Sequence, residues 1–424
     1  MTFGEWTGNR SIESVGTTAG LPPLAFQRWR SFKEAYAPEI VERAYRETPG
    51  TVKHIADPFG GSGTTGLASQ FLGAKPTLVE VNPYLADLIQ AKLEIYNADE
   101  LGRHLSRVCG EVRKASRVLR SAKKLFVDAP KTFIEPGING QYIFSKEVAA
   151  RIDAYLSAIK SIPSPEVQRL FKVLLGSILI SVSNVTISGK GRRYRRGWEN
   201  KPVRSESVDE LFQEFVLNAI FDLQMYKSRG TRNFTLLRGD SRTLLTSVDE
   251  IDLSVFSPPY PNSFDYTDVY NVELWMLGYL TNSGSNLRLR NATLRSHVQI
   301  NRDMSGRCYA SKSLVKTMAS LDGVREELWN RQIPEMISAY VSDMGGIMST
   351  LATKLRPQGR IYMVVGDSRY AGVYIPVAKI LEEISNQAGL CPIGAEACRS
   401  MRSSPQQGGR EDLQESLLIF EKKR

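Results

Sequence analysis

Two short strings in this chain carry residue types suited to chemistry. The first, Asp57-Pro58-Phe59-Gly60-Gly61-Ser62-Gly63-Thr64-Thr65, joins an apolar β-branched stretch to a helical pattern. Glycines at such a junction let the backbone approach a ligand closely, and the start of the helix offers unpaired N–H groups. Glu80 ends the next strand about twenty residues on, where an acidic side chain can accept both hydroxyls of a ribose. The string is not a P-loop, because no Gly-Lys-Ser/Thr follows. Gly61-Ser62-Gly63-Thr64-Thr65-Gly66 does fit the Gly-x-Gly-x-x-Gly dinucleotide pattern, so the loop alone admits a nicotinamide dehydrogenase. The second string, Ser257-Pro258-Pro259-Tyr260, follows directly on the strand-like run Ile251 to Phe256. Two prolines cannot extend a central strand or open a regular helix. They fix a rigid loop at the strand's carboxyl end, where open α/β sheets bind ligands.

The string from Asp57 to Thr65 resembles motif I of the DNA amino-methyltransferases, and Ser257-Pro258-Pro259-Tyr260 resembles their motif IV. By that resemblance the loop residues Asp57, Pro58, Phe59, Gly60, Gly61, Ser62, Gly63, Thr64 and Thr65 hold the methionine part of S-adenosylmethionine, and Glu80 holds its ribose. Gly239-Asp240 resembles motif III, which implies that Asp240 contacts the cofactor's adenine. Arg28-Trp29-Arg30-Ser31-Phe32-Lys33-Glu34 is similar to motif X, which closes over the methionine end and brings Lys33 to the cofactor. Arg360 to Asp367 resembles a later core strand of the family, and Glu415 to Lys422 its final hairpin strand.

The chemistry explains the residue types. An exocyclic amine is a poor nucleophile because its lone pair is delocalised into the ring. Hydrogen bonds from its two N–H groups to the Ser257 hydroxyl and the Pro258 carbonyl pull the nitrogen towards sp³ geometry, freeing the lone pair to attack the sulfonium methyl in line. Tyr260 is expected to stack on a base taken out of the duplex, a role for its ring and not its hydroxyl. Catalysis then falls to Ser257, Pro258, Pro259 and Tyr260 with no metal and no covalent intermediate, and the cofactor leaves as S-adenosylhomocysteine. Serine in the first position is typical of the cytosine-N4 branch, aspartate or asparagine of the adenine-N6 branch, so cytosine N4 is favoured and adenine N6 stays open. The order, motif X, then I, then a long insert, then III and IV, resembles an arrangement with target recognition between cofactor and catalytic halves. The Ser-Pro-Pro-Tyr branch often runs in reverse order, which leaves the subclass open.

These strings need a frame. Strands at Val52–Asp57, Pro76–Val81, Phe234–Arg238, Ile251–Phe256, Arg360–Gly366 and Glu415–Glu421, with helices at Tyr84–Leu93 and Ile375–Gln387, read as βαβα alternation. With the resemblance, the expected fold is an α/β class I methyltransferase, a Rossmann-like, doubly wound and mostly parallel sheet with a largely helical insert. Residues 1–96 are the motif X and cofactor-binding half, 97–233 a helical basic insert expected to recognise the target, and 234–424 the catalytic half carrying a second basic insert at 281–334. The apolar run Val173 to Val182 is too short to span a bilayer and reads as a buried helix.

The chain has 424 residues and a formal net charge of +10. The excess is concentrated. Leu101–Lys131, Ser183–Arg204 and Thr281–Arg331 together carry +18, leaving the remainder near −8. That distribution suits a polyanion such as double-stranded DNA. The glycine-rich string Ser188 to Trp198 offers Lys190, Arg192, Arg193, Arg195 and Arg196 to phosphates, with Tyr194 and Trp198 for base edges or stacking. Arg295 is the candidate from the second insert, beside His297, which alone reads as structural. Cys109, Cys308, Cys391 and Cys398 are scattered, fitting reduced thiols in a cytoplasmic, DNA-associated protein without membrane contact. A cognate restriction endonuclease or defence-system subunit is the partner such an enzyme implies. The rivals are an adenine-N6 or RNA methyltransferase, a catalytically silent DNA-binding subunit that keeps the fold, and, remotely, the dehydrogenase, which gives Ser-Pro-Pro-Tyr no role.

Overall fold

The computed structural model describes residues 1–10, 22–32, 35–115, 126–188, 191–402 and 412–423. Strands run in chain order as β1 (His54–Asp57), β2 (Lys75–Glu80), β3 (Val185–Ser188), β4 (Gly191–Tyr194), β5 (Thr235–Arg238), β6 (Ile251–Phe256), β7 (Leu355–Gly366), β8 (Ser368–Tyr370), β9 (Val373–Ile375), β10 (Leu390–Arg402) and β11 (Asp412–Lys422). Seven of them form one sheet in the order β10-β11-β7-β6-β1-β2-β5. The pairs from β5 through β7 are parallel, and β11 enters antiparallel to both β7 and β10. Placing β1 at the centre, with β2 and β5 on one side and β6 and β7 on the other, reverses the chain's direction of travel beside β1. This is the doubly wound, mostly parallel sheet of the class I methyltransferase fold, and a ligand crevice opens where the winding reverses.

The period-two alternation of side chains splits the strands between two cores. Ile55, Leu78, Leu253, Val255, Tyr362 and Val364 point to one face, under the helices Thr64–Leu72 and Pro83–Leu93. Ala56, Val79, Phe256, Ile361, Met363 and Val365 point to the other, under Ile333–Lys354 and Val377–Ser385. Burial on both faces explains why the central strands read as apolar runs rather than alternating ones.

Residues 97–233 contribute the helices Ala98–Ala115, Lys146–Lys160, Pro165–Ile178 and Glu206–Met225. Their apolar faces, with Tyr155, Phe171 and Phe212 at the centre, merge into the first core instead of forming one of their own. Asp222, on the last of these helices, is buried and accepts from the Phe26 N–H at 2.8 Å and the Trp29 indole N–H at 2.9 Å. That clamp ties the N-terminal segment to the insert. Val185–Ser188 and Gly191–Tyr194 pair antiparallel as β3 and β4, whereas the string Ser188 to Trp198 reads in the sequence as a flexible loop. Among the described residues no helix is long and apolar enough to cross a membrane.

Candidate functional site

A cavity of about 370 Å³ opens at the carboxyl ends of β1, β2, β5 and β6. It falls within the roughly 300–1,000 Å³ range of small-molecule sites. Asp57 to Ser62, Thr64, Glu80 and Asp240 line it together with Ser257 to Tyr260. Gly63 and Thr65 belong to the same turn without lining the cavity. The loop holds its shape through its own backbone: Gly60 N–H donates to Val79 O at 2.9 Å and Gly63 N–H to Gly60 O at 2.7 Å. Gly61 and Gly63 sit at φ +50° and +83°, the left-handed region that favours glycine.

Glu80 is buried, and its two oxygens accept the Gly61 N–H at 2.7 Å and the Asn82 N–H at 2.8 Å. Burial pushes its carboxyl up to about 7. Asp57 is buried as well; it accepts the Phe59 N–H at 2.8 Å and the Tyr36 hydroxyl at 3.4 Å, and burial raises its carboxyl to about 7. Thr65 donates to Val255 O at 3.0 Å, so it joins the loop's helix to β6. Asp240 caps the helix Ser241–Leu244 by accepting the Arg242 N–H at 2.9 Å, and it also pairs with the Arg242 guanidinium. Lys33 lies outside the described residues. Its neighbour Phe32 is the member of that string that lines the cavity.

In the loop after β6, Ser257 Oγ donates to the Tyr260 hydroxyl at 3.3 Å, and that hydroxyl donates to Glu415 Oε1 at 2.9 Å. The Tyr260 hydroxyl, given no part by the sequence, is therefore bonded on both sides. Glu415, on β11, is buried, and Arg399 from β10 grips it through Nε at 2.8 Å and Nη2 at 3.2 Å. Burial, and then the adjacent Glu415 carboxylate, hold the Tyr260 phenol far above its ordinary range, so it stays protonated. The loop's far side is pinned by the Tyr370 hydroxyl on Pro261 O at 2.9 Å.

The residues singled out for DNA separate into two kinds. Arg193 and Arg196 are exposed, whereas Lys190 lies outside the described residues. Arg195 donates to Val185 O at 3.1 Å, Ile180 O at 2.7 Å and Ser181 O at 3.1 Å, which fastens the hairpin to the end of a helix. Arg192 is partly buried, packed over the Phe133 ring and 3.9 Å from Asp268. Tyr194 stacks on Trp198 with ring centroids 5.2 Å apart, and Trp198 is buried, so these rings meet each other. Arg295 is only 12% exposed and bonds Asp343 through Nε at 3.1 Å and Nη2 at 2.7 Å. Its Nη1 donates to Ser305 O. An arginine so engaged has little left for a phosphate. Arg295→Ala is expected to lower stability by about 1.5 kcal/mol, since Asp343 keeps Arg242. The salt dependence of DNA affinity should not move; a reduced slope in salt titrations would return Arg295 to the DNA interface.

Several residues that line the cavity or hold its loop from behind carried no motif. Lys92 is fully buried and donates Nζ to Ser62 O at 2.8 Å, with burial pushing its ammonium down to about 7. Tyr36 bridges Asp57, Thr65 and Val255 O. His297 lines the cavity and is buried, which lowers its imidazole to about 4 and keeps it neutral.

No family model matches the chain. Among curated proteins it is 24% identical over 436 residues to the Type II methyltransferase M.AvaI of Nostoc sp., covering 93% of this chain and 86% of that one. It is 25% identical over 457 residues to the Type II methyltransferase M.BsoBI of Geobacillus stearothermophilus, covering 94% of this chain and 86% of that one. Among solved structures, the rRNA methyltransferase AviRa from Streptomyces viridochromogenes is similar at a TM-score of 0.29 and 12% identity, covering 97% of this chain and 90% of that one.

Proposed function

We propose that this chain is a site-specific DNA methyltransferase that transfers a methyl group from S-adenosylmethionine to an exocyclic amine, cytosine N4 in the first instance. One observation carries the reading: Gly60, Glu80 and Asp240 line a single cavity with Ser257 to Tyr260. The two curated relatives, both named Type II methyltransferases and matched along nearly the whole chain, support it. They also motivate the expectation of a cognate restriction endonuclease as partner.

The residues present fit the cofactor. Glu80 accepts one N–H on each oxygen, which leaves accepting capacity for two ribose hydroxyls. Gly60, Gly61, Asp240 and Phe32 line the cavity; the two glycines would leave bare backbone against the cofactor, Asp240 would meet its adenine and Phe32 its methionine side. S-adenosylmethionine supplies an electrophilic methyl group when bound. The chain's own task is to hold the base, shape its amine and exclude water. Ser257 and the Pro258 carbonyl receive the amine's two N–H groups, and the Tyr260 ring packs on the extruded base.

Sequencing of native DNA from cells expressing the protein, with a method that reports modified bases, tests this. N4-methylcytosine at a fixed site is expected. N6-methyladenine would overturn the base and keep the reaction. The absence of any modified base would overturn the function.

Among the described residues of 185–198, Arg193 and Arg196 are the exposed cations. Replacing both with alanine should lower DNA affinity and reduce the log–log salt slope by roughly 1.8, about 0.9 for each phosphate that is no longer neutralised. Cofactor affinity should stay the same. An unchanged slope would take this hairpin off the DNA.

A further inference from the structure

The direction of each hydrogen bond at the catalytic loop can be worked out from one end. Glu415 is gripped by Arg399 through two N–H groups, at 2.8 and 3.2 Å, so its oxygens act as acceptors. The Tyr260 hydroxyl, 2.9 Å away, must therefore place its single proton on Glu415. With that proton committed, the Tyr260 oxygen can only accept, and the group 3.3 Å from it is the Ser257 hydroxyl. Ser257 thus directs its own single proton at Tyr260. What remains on Ser257 Oγ is lone pairs.

We propose that the chain Arg399–Glu415–Tyr260–Ser257 makes Ser257 an obligate hydrogen-bond acceptor, so that the site admits a base presenting an amino group and rejects the same base presenting a carbonyl. Glu415 and Tyr260 act here as positioning residues, through Ser257. The inference rests on the functional reading above and deepens it by assigning what selects the substrate atom. Ser257 alone does not make that selection, because a free serine hydroxyl rotates and serves a donor or an acceptor equally well. Four residues from three strands or strand ends, Ser257 and Tyr260 after β6, Arg399 on β10 and Glu415 on β11, are needed to fix it. Both Arg399 and Glu415 line the cavity with Ser257 and Tyr260.

The same polarity serves the proton that the reaction releases. Methylation of a neutral amine forms an N–C bond and breaks an S–C bond whose electron pair stays on sulfur. The nitrogen is left with one proton too many. That proton can pass to Ser257 Oγ as the serine proton moves to Tyr260 and the tyrosine proton moves to Glu415, which ends as the neutral acid. No other co-reactant is needed.

The test is binding of duplexes that differ in one group at the target base: cytosine against uracil, or adenine against hypoxanthine if adenine is the target. It needs no turnover. The wild type should prefer the amino form by about tenfold or more, the scale of one donor–acceptor mismatch in a dry site. Tyr260→Phe releases the Ser257 hydroxyl to donate, and the preference should collapse. Glu415→Gln should act alike: the amide oxygen stays on the shorter Arg399 Nε contact, and the amide nitrogen then faces Tyr260 and reverses the chain. Their double variant should lose no more than either single one, since all three break one chain. Comparing ratios between variants cancels the weaker pairing of the mismatched duplexes. Cofactor affinity and melting temperature report that each variant is folded. A wild-type ratio retained in either variant, or no ratio in the wild type, would overturn the proposal. Failure of the functional reading looks different: the wild type would then methylate no amino group at all.

Discussion

Ser257→Ala is expected to slow single-turnover methyl transfer by about 10²-fold, the scale on which a pre-positioned polar group at the reacting atom acts, while cofactor affinity stays within a factor of two. The ground state and the transition state ask different things of Ser257. A planar amine with a delocalised lone pair needs little from Ser257. An amine becoming tetrahedral and positively charged needs an acceptor for the N–H it is about to lose, so the interaction strengthens as the reaction proceeds and its loss falls on the rate. The structure adds why the acceptor is ready beforehand: the Ser257 hydroxyl proton already points at Tyr260, which is held by Glu415. Nothing has to reorient at the moment of reaction. The assay is transfer of labelled methyl groups at saturating enzyme, followed by digestion to nucleosides. A Ser257→Ala rate within threefold of the wild type would remove the hydroxyl from the mechanism. Label on cytosine C5 would remove the mechanism itself, because that chemistry needs a cysteine nucleophile and this loop has none.

How far the sequence reached depended on whether a feature was local. β6 lies at Ile251–Phe256, as its apolar run and the following prolines indicated. The loop after β1 and the helix from Pro83 to Leu93 likewise follow from short-range cues: glycines, then an Asn82 cap accepting the Tyr84 N–H at 3.0 Å. β10 escaped because Leu390 to Arg402 lacks an apolar alternation, carries Pro392 and has two register shifts against β11. The Tyr260–Glu415 bond spans 155 positions. Only the antiparallel insertion of β11 beside β7 brings the pair together, so no local pattern announces it. Charge misleads in the same way. Arg195, Arg196 and Arg295 are alike as letters, yet Arg195 holds three backbone carbonyls, Arg295 holds Asp343, and Arg196 is exposed. An arginine's type supplies the donors, and its neighbours decide who receives them.

The remaining large effect is at the cofactor end. Glu80→Ala should weaken S-adenosylmethionine binding by about 1.5–3 kcal/mol, the value of hydrogen bonds to a charged group, which is roughly 10- to 150-fold in Kd. Part of that loss comes through the loop, because Gly61 and Asn82 would lose their acceptor along with the ribose. The pH dependence distinguishes a direct role from a supporting one. Burial raises the Glu80 carboxyl to about 7 in the empty site. A carboxyl raised on folding contributes stability that is full below its unfolded value of 4.5 and is lost as pH rises through about 7. Ribose hydroxyls donate to the ionised form, so the cofactor opposes that loss. Affinity should therefore rise between about pH 6 and pH 8 and then level off. Asp57 is also held at about 7 and titrates in the same window, but its carboxylate is bonded to the Phe59 N–H of the loop and to the Tyr36 hydroxyl. Glu80→Gln removes one of the two titrations and should flatten most of the slope, whereas a supporting role for Glu80 would leave the slope to Asp57 alone. Calorimetry on the folded variants at pH 6, 7 and 8 settles it: an Ala variant with wild-type affinity, or a Gln variant with the wild-type slope, takes Glu80 out of contact with the ribose.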